Sequence, residues 1–179
     1  MNYEDFLQLI QTRQACRDFN DKPLDRETVL KIAKTAMLAP SACNSQPWRM
    51  YVVTEPEKLK EVTKALQGVV QNKFLDKAKA YICFADKVAT LKPEAMERFD
   101  RNHFVKYDVG ELVAYTTLAA ESMGVQTCII GWVNPKLLRP AIRLRNDEIC
   151  DVVVALGYSD APIRPKKRKS EDDIIVEVE

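Results

Sequence analysis

The spacing of hydrophobic residues along the chain predicts several helices. Tyr3, Phe6 and Ile10 recur at helical spacing, which predicts an amphipathic helix over residues 3–14. Three further helices are predicted where helix-starting residues precede a periodic apolar pattern, and they begin near Asp25, at Pro56 and at Pro135 after Asn134. Each of these helices has one apolar face, so we expect each to pack against a common core.

The clearest helical segment lies in the second half of the chain. Asp108 followed by Glu111 predicts a capping arrangement, residues 112–123 are mostly apolar, and Gly124 is placed to end the helix. A helix this apolar usually runs through the middle of a structure or through a subunit interface. Residues 86–107, just before it, are charged and contain Pro93, so we expect an irregular excursion with a short helix.

Four segments have the β-branched and aromatic composition of strands, namely WRMYVVT (48–54), AYICFA (80–85), QTCIIG (126–131) and DVVVALG (151–157). Helices and strands intermix without strict alternation, which predicts the α+β class. The ending DIIVEVE (173–179) also has strand character but follows a charged linker. A strand that cannot pair locally is a candidate for pairing with the sheet edge of another chain.

Composition narrows the class of protein. The length of 179 residues fits one domain, and the 46% hydrophobic content is typical of a globular core. Lysine and arginine number 27 against 26 acids, so the charge gives no reason to expect a nucleic-acid partner. The N-terminus does not read as a secretory signal, and no apolar run approaches the ~20 residues that span a bilayer. We therefore expect a soluble, cytoplasmic protein without a membrane partner.

Absent motifs narrow the chemistry. The five cysteines are scattered without a C-x-x-C pair, which argues against a disulfide framework and favours a reducing compartment. A single histidine, His103, excludes multi-histidine metal sites, and no metal is expected. We expect His103 to be surface or interface structure. The glycines form neither a G-x-G-x-x-G nor a P-loop pattern, so any bound nucleotide must be held mainly by side chains.

Three polar clusters are candidates for binding chemistry. In TRQACRDF (12–19), Arg13 and Arg17 would share one helix face if the first helix continued, and could converge on a phosphate; the alternative is a solvated helix end. In APSACNSQPW (39–48), Ser41 and Asn44 could hold their own turn or grip a ligand. The run RPKKRK (164–169) is a solvated charge run or, less strongly, a nucleic-acid or localisation patch.

Taken in this order, the clusters resemble the FMN-dependent nitroreductase family in its short single-domain form. RQACRDF (13–19) is similar to that family's R-R-S-x-R-x-F, and APSACNSQPW matches A-P-S-x-x-N-x-Q-P-W at every fixed position. TCIIG (127–131) and GYSDAPIRPKKRK (157–169) match the third and last motifs. The resemblance covers essentially the whole chain, with two departures: Ala15 replaces a common serine and Gln14 replaces an arginine or histidine.

The resemblance implies one domain over residues 1–179, with a central, mostly antiparallel sheet flanked by helices. It also implies a homodimer with FMN at the interface, in which the tail 164–179 wraps the partner subunit and its last strand is exchanged. The ribityl phosphate would lie against Arg13, Gln14, Arg17, Arg168 and Lys169. Pro40, Ser41 and Asn44 would approach the flavin from the other subunit, with residues 46–48 bracing the loop. Ile130 and Gly131 would offer backbone groups near flavin N5 and O4, and Lys73 is a weaker candidate for the pyrimidine edge.

The implied function is a ping-pong oxidoreductase that passes hydride from NAD(P)H through flavin N5 to an electron-poor acceptor, a nitroaromatic or a quinone. The flavin carries this chemistry, so no side chain is assigned as catalytic. Three alternatives stay open: a thiol enzyme using Cys16 or Cys43, a flavoprotein of the same fold with a different reaction, and a non-catalytic flavin-binding protein. We expect residues 86–107 to form part of the cleft over the flavin. The sequence selects neither the acceptor nor NADH over NADPH.

Overall fold

An antiparallel sheet runs through the middle of the structure. The computed structural model describes residues 2–68 and 71–178. Within these ranges the sheet contains β1 (Trp48–Val53), β2 (Ala80–Asp86), β3 (Gln126–Ile130) and β4 (Ile149–Gly157), in the spatial order β1-β2-β4-β3. Every neighbouring pair is antiparallel. The four predicted strands, the mostly antiparallel sheet and the α+β class are therefore confirmed.

Six helices flank the sheet in the described part of the chain: α1 (Tyr3–Thr12), α2 (Arg26–Ala36), α3 (Pro56–Leu66), α4 (Pro93–Met96), α5 (Val105–Ser122) and α6 (Pro135–Ile142). The predicted helix starts are explained by their caps. The Asp25 carboxylate accepts the Thr28 N–H at 2.7 Å, and the Asn134 carboxamide oxygen accepts the Lys136 N–H at 3.1 Å. Gly124 follows the end of α5 with φ +69°, a left-handed conformation that glycine adopts without strain.

Both faces of the sheet are covered, because consecutive residues of β2 enter two different cores. Ile82 and Phe84 pack with α2 and α5, whereas Tyr81 and Cys83 pack with α3 and α6. Side chains of a strand alternate between its two faces, so a strand buried on both sides must be apolar throughout. This explains the continuous hydrophobic run of AYICFA. Half of the 18 residues of α5 are buried, which agrees with its predicted central position.

The first helix ends earlier than the apolar spacing predicted. α1 stops at Thr12, and Arg13 caps it with ψ 121°, so the chain continues in an extended conformation. Ala15 forms a parallel bridge with Thr127 of β3, and the Cys16 N–H donates to the Thr127 carbonyl at 2.8 Å. The prediction that Arg13 and Arg17 share a helix face is therefore wrong, because backbone pairing with the sheet edge replaces the last helical turn.

Two further differences concern α5 and the tail. Asp108 does not cap α5, which begins three residues earlier at Val105; its carboxylate is 5% exposed inside the first turn. The tail pairs with no strand of its own chain up to Val178, while Glu179 lies outside the described residues, so strand exchange stays a prediction. An irregular segment with the short α4 is found as expected, but it spans only residues 87–104, because Asp86 ends β2 and α5 begins at Val105. Across the described ranges, no helix has the length and apolar character needed to cross a membrane.

Candidate functional site

The basic tail folds back onto the extended segment that follows α1. The Gln14 side-chain oxygen accepts two hydrogen bonds from Arg164, one from its backbone N–H and one from Nε, both at 3.2 Å. Arg164 Nη2 also donates to the Ala15 carbonyl at 2.6 Å, and Gln14 Nε2 donates to the Pro162 carbonyl at 3.2 Å. Two segments about 150 residues apart in sequence are thus held together by three hydrogen bonds between side chain and backbone and one between side chains.

Two cavities share the Gln14–Arg164 pair in their linings. The tail cavity has a volume of about 590 Å³ and is lined by Arg13, Gln14, Ala15, Arg164, Pro165, Lys166, Lys167 and Arg168. The smaller Arg17 cavity has a volume of about 280 Å³ and is lined by Gln14, Cys16, Arg17, Asp18, Ala161, Pro162 and Arg164. Gln14 and Arg164 are the residues that the two linings share, so the two cavities adjoin at this pair.

Positive charge is concentrated in the tail cavity. Its lining includes five cationic side chains and no carboxylate. None of the five forms an ion pair with a described acidic residue. Partial burial, together with the nearby charges of Arg13 and Arg168, lowers the pKa of Lys166, although Glu121 opposes this shift. Cations that crowd one another without a carboxylate are suited to binding an anion such as a phosphate.

Most of the residues that were predicted to contact a phosphate lie close together, whereas Lys169 lies apart from them. Arg13, Gln14 and Arg168 line the tail cavity, and Arg17 lines the neighbouring one. Lys169 lines neither cavity; instead Lys166 reaches the segment and donates to the Arg13 carbonyl. Sequence reasoning missed Lys166 and Arg164, which belong to the same basic run. The composition of the basic run does not show which of its neighbouring lysines faces Arg13, because that depends on how the tail folds back onto the distant segment.

The loop from Pro40 to Trp48 is held in shape by its own polar side chains. Ser41 Oγ accepts the Gln46 N–H at 2.9 Å, and Gln46 Nε2 donates to the Asn44 carbonyl and side-chain oxygens at 3.3 and 3.1 Å. Cys43, Asn44 and Gln46 have φ of 54°, 51° and 47°, a region that residues other than glycine rarely adopt. Gln46 thus braces the loop as expected, and Ser41 takes part in holding the turn.

The loop is separate from the cationic cavities within one chain, because none of its residues lines either of them. Its anchor is α5: Asp108 Oδ1 accepts the Ala42 N–H at 3.1 Å. Pro40 and Asn44 are exposed. The geometry of a single chain therefore leaves the predicted ligand contacts of Pro40, Ser41 and Asn44 as predictions that involve a second subunit.

The segment that follows β3 and Gly131 lines a third cavity. It has a volume of about 700 Å³ and is lined by Gln67, Gly68, Gln71, Trp132, Val133, Asn134 and Pro135. Ile130 is buried, whereas Gly131 is exposed, and a Cβ built on Gly131 would meet no heavy atom within 4 Å. The Gly131 backbone is thus open to a ligand on the side where a side chain would stand. Lys73 begins a 3-10 turn (Lys73–Lys77) and lies outside this lining.

The candidate nucleophile Cys43 is exposed on the polar loop, whereas the other four thiols are buried and His103 lies in an aromatic cluster. Cys16 is buried, burial raises the pKa of Cys128, and a hydrogen bond to Cys150 together with burial raises the pKa of Cys83. His103 stacks on Phe99 with ring centroids 4.6 Å apart, in an aromatic cluster within residues 86–107. Among the described residues, no group of three or more His, Cys, Asp or Glu side chains is placed to hold a metal ion.

Comparison with known proteins gives one consistent result. The model of the nitroreductase family matches residues 10–73 and 64–158. An Archaeoglobus fulgidus protein is 32% identical over 160 residues, covering 87% of this chain and 86% of its own length; its name, NADH dehydrogenase/NAD(P)H nitroreductase, is provisional. The oxygen-insensitive NADPH nitroreductase of Helicobacter pylori is 25% identical over 199 residues, covering 94% of each chain.

Solved structures share the fold. A nitroreductase family protein from Streptococcus pneumoniae TIGR4 superposes with a TM-score of 0.84 at 23% identity, covering 97% of this chain and all of the other. A nitroreductase with bound FMN from Desulfitobacterium hafniense DCB-2 superposes with a TM-score of 0.74 at 22% identity, over the full length of both chains. At this level of identity the likeness establishes the common architecture.

Proposed function

The chain belongs to the nitroreductase family, and we propose that it is an FMN-dependent oxidoreductase that takes hydride from NADH or NADPH and reduces an electron-poor acceptor. The name of the similar Archaeoglobus protein gives NAD(P)H, that of the Helicobacter protein gives NADPH, and FMN is bound in the Desulfitobacterium structure. The acceptor class we propose is a nitroaromatic or a quinone, reduced in a ping-pong cycle. The observation on which the cofactor proposal rests is the tail cavity, with five cations and no carboxylate.

The tail cavity fits a ribityl phosphate. A phosphate monoester carries about 1.5–2 negative charges near pH 7, and it is bound best by clustered lysine and arginine donors. We assign Arg13, Lys166 and Arg168 to this group, since all three line the cavity, and Arg17 in the adjoining cavity stays a proposed contact of the same cofactor. The Gln14 carboxamide is occupied by Arg164 and Pro162, so its role in this proposal is to fix the tail rather than to bind phosphate directly.

The protein's part in the reaction is to position the flavin and to shield it. When bound, FMN supplies the N5 atom that accepts and delivers hydride. The proposed neighbours of N5 and O4 are the backbone groups of Ile130 and Gly131, and the open backbone of Gly131 supports this assignment. Pro40, Ser41 and Asn44 would approach the same flavin from a second subunit, on a loop whose shape is already fixed by Gln46. No side chain is assigned as a proton donor.

The exposed apolar tail supports a dimer with exchanged tails. Four aliphatic residues of the tail are 62–92% exposed, namely Ile174, Ile175, Val176 and Val178. The acidic stretch SEDD precedes them, and glutamates alternate with the valines in VEVE. β1 is an outer strand whose edge borders a cavity of about 350 Å³ lined in part by Arg26, Lys58 and Arg143. We place the acidic tail strand of a second copy at this basic edge, where it would gain backbone hydrogen bonds and charge complementarity.

On this proposal, residues 1–179 form one nitroreductase-like domain whose tail, residues 164–179, wraps the partner subunit. Exposed Tyr3, Phe6 and Ile10 on α1, a helix without a buried residue, would be covered in the same interface. A cytoplasmic location and the lack of a nucleic-acid partner stay predictions from composition. Residues 86–107, with the Phe99–His103 stack, are the proposed contribution to the acceptor cleft.

An absorption spectrum of the purified protein, recorded over roughly 300–550 nm before and after addition of NADH or NADPH, tests this function. Two flavin bands that bleach, and that return when a nitroaromatic or quinone is added, are the expected result. A colourless protein that cannot be reconstituted with FMN contradicts the cofactor. Bands that bleach but do not return with either acceptor favour a flavoprotein of this fold with another reaction, and bands that do not bleach favour a flavin-binding protein without this activity.

A further inference from the structure

We propose that Cys16 and Cys128 form an oxidation site, in which a peroxide converts the two thiols into a reversible disulfide that fastens the segment after α1 to β3. Both thiols are free in the structure. The segment carries Arg13 and Arg17, which line the two cationic cavities. Formation of the disulfide is independent of the proposed function, whereas its expected effect on FMN rests on that function.

The backbone places the two thiols at neighbouring positions. Ala15 forms a parallel bridge with Thr127, and the Cys16 N–H donates to the Thr127 carbonyl at 2.8 Å. The next position along each segment therefore pairs Cys16 with Cys128. Neighbouring strands lie about 4.8 Å apart, and the Cα atoms joined by a disulfide are usually about 4.4–6.8 Å apart. The pair is thus close enough for a disulfide.

The two side chains also face the same core. Cys128 pairs with Ala155 of β4, and Cys16, Cys128 and Ala155 all belong to the core formed with α3 and α6. Burial is the largest cause of the raised pKa of Cys128, and the nearby Cys16 thiol adds to it. Each thiol is therefore within electrostatic range of the other.

Cys16 is the member of the pair that a small oxidant can reach, because it lines the Arg17 cavity. That cavity has a volume of about 280 Å³, whereas a water molecule occupies roughly 30 Å³ in the liquid. Hydrogen peroxide is only one oxygen atom larger than water and can enter. The positive charges of Arg17 and Arg164 counteract the rise in the pKa of Cys128, which favours the thiolate needed for the second step.

One peroxide molecule oxidises the pair in two steps. The Cys16 thiolate attacks a peroxide oxygen, the O–O bond breaks, and the leaving hydroxide takes up a proton to form water. The product at Cys16 is a sulfenic acid. The Cys128 thiolate then attacks its sulfur, the S–O bond breaks, and a second water leaves as the S–S bond forms. Two thiols and one hydrogen peroxide thus become one disulfide and two water molecules, with two electrons passing from the thiols to the peroxide.

The disulfide would add a covalent attachment to a segment that is held by hydrogen bonds to Thr127 and Arg164. A bond between residues 16 and 128 closes a loop of about 110 residues, and long loops restrict the unfolded chain most. With its backbone fixed to β3, the segment would present Arg13 and Arg17 in place before FMN binds. The ordering cost of binding would then be smaller.

Peptide mapping of the oxidised protein tests the site. Protein purified under reducing conditions, with and without added FMN, is treated with hydrogen peroxide, alkylated in denaturant and digested with trypsin without a reductant. Cys16 then lies in peptide 14–17 and Cys128 in peptide 107–136, each with a single cysteine. We expect a crosslinked pair of these peptides that dithiothreitol separates. If this pair is missing from both samples and Cys128 is alkylated, the inference is overturned.

Cys83 and Cys150 provide the internal control. A hydrogen bond from Cys150 and burial raise the pKa of Cys83, so these thiols also form a buried pair, but neither lines the Arg17 cavity. We expect both to stay reduced under the same treatment, and an equally rapid crosslink between them would contradict the role of the cavity. Cys128→Ala should abolish the crosslink to Cys16, whereas Cys150→Ala should leave it unchanged.

Thermal unfolding and FMN release test what the disulfide does. Oxidation should raise the unfolding midpoint by at least about 5 °C and should slow FMN dissociation about threefold or more. Cys16→Ala should show neither change after peroxide treatment. An equal midpoint and an equal FMN dissociation rate in the oxidised and reduced protein would overturn the fastening role. A crosslinked protein that binds no FMN loses the proposed function and keeps this site, whereas a protein that binds FMN without forming the crosslink does the reverse.

Discussion

Asp108 Oδ1 accepts the backbone N–H of Ala42 at 3.1 Å, although the two residues are 66 positions apart. This hydrogen bond ties the first turn of the central helix α5 to the polar loop that carries Ser41 and Asn44. The second carboxylate oxygen, Oδ2, is buried and has no hydrogen-bond partner among the described residues. A buried polar atom without a partner costs stability, so the anchor is maintained against an energetic penalty.

Replacing Asp108 with alanine should detach the loop from α5. The Ala42 N–H would lose its acceptor, and we expect a loss of about 1–3 kcal/mol in the free energy of unfolding. Asp108→Asn keeps an oxygen for the Ala42 N–H and should cost less. Urea unfolding measures both, with Glu111→Ala on the exposed face of α5 as the control. Equal losses in the alanine and asparagine variants would show that the loop hydrogen bond is not what Asp108 provides.

Lys166, rather than Lys169, should contribute to FMN binding. Lys166 lines the tail cavity beside Arg13, whereas Lys169 lines neither cavity. Lys166→Gln removes one charge-assisted contact to the proposed phosphate, so we expect the Kd for FMN to rise about tenfold or more. Lys169→Gln removes the same charge three residues away and is the matched control. Fluorescence titration of FMN into apoprotein measures both values. A larger effect at Lys169 would show that Lys169, and not Lys166, contacts the phosphate.

The difference between Lys166 and Lys169 shows which part of the candidate site could not be predicted from the sequence. Helix and strand positions follow from local periodicity, and Asp25, Asn134 and Gly124 mark element ends by interactions within a few residues. The end of α1 at Thr12 depends instead on pairing between Ala15 and Thr127. Likewise, Arg164 and Lys166 are selected by contacts some 150 residues away, with Ala15 and Arg13. Such contacts leave no periodic signal in the sequence.

Ala15 can be replaced by the serine that is common at this position of the first motif. Ala15 lies in the tail-cavity lining, and its backbone is fixed by the bridge to Thr127. A serine hydroxyl there would add one donor to the proposed phosphate without altering the charge. We expect Ala15→Ser to tighten FMN binding about tenfold or more, because one hydrogen bond to a charged group contributes about 1.5–3 kcal/mol. Ala15→Cys, which is close to serine in size but has only a weak S–H donor, is the control; equally tight binding in that variant would mean that packing, not the hydroxyl, matters.

The two halves of the tail should have separable roles. Deleting residues 171–179 removes the exposed Ile174–Val178 stretch but keeps Arg164, Lys166 and Arg168. We expect this variant to dissociate into monomers at micromolar concentration, because the proposed strand addition at β1 is lost. Sedimentation velocity measures the oligomeric state. Arg26→Glu combined with Arg143→Glu should weaken the dimer in the same direction by repelling the acidic tail. An unchanged dimer in the deletion variant would disprove strand exchange as its main contact.

Protonation of Glu148 in acid should lower the free energy of unfolding. Its carboxylate is 1% exposed and accepts hydrogen bonds from Arg49 Nε at 2.7 Å and from the Tyr51 hydroxyl at 2.5 Å. Burial alone would raise the pKa of Glu148, but these hydrogen bonds more than offset it and hold the pKa below its ordinary value. The folded protein therefore binds this proton less readily than the unfolded chain does. The stabilisation is complete above the ordinary glutamate pKa of about 4.3 and is lost as pH falls through the lowered value.

Glu148→Gln tests this origin of the acid dependence. The neutral side chain leaves Arg49 without its carboxylate and removes the charged acceptor of Tyr51, so we expect a loss of about 1–3 kcal/mol in the free energy of unfolding at pH 7. The loss should shrink toward pH 3, where the unmodified carboxylate is itself being protonated. Urea unfolding at pH 7, 5 and 3 measures the difference. Glu61→Gln, which breaks the exposed pair with Lys58, should cost about 0.5 kcal/mol or less. A Glu148→Gln penalty that stays constant across this pH range would show that the packing of the side chain, rather than its charge, stabilises the fold.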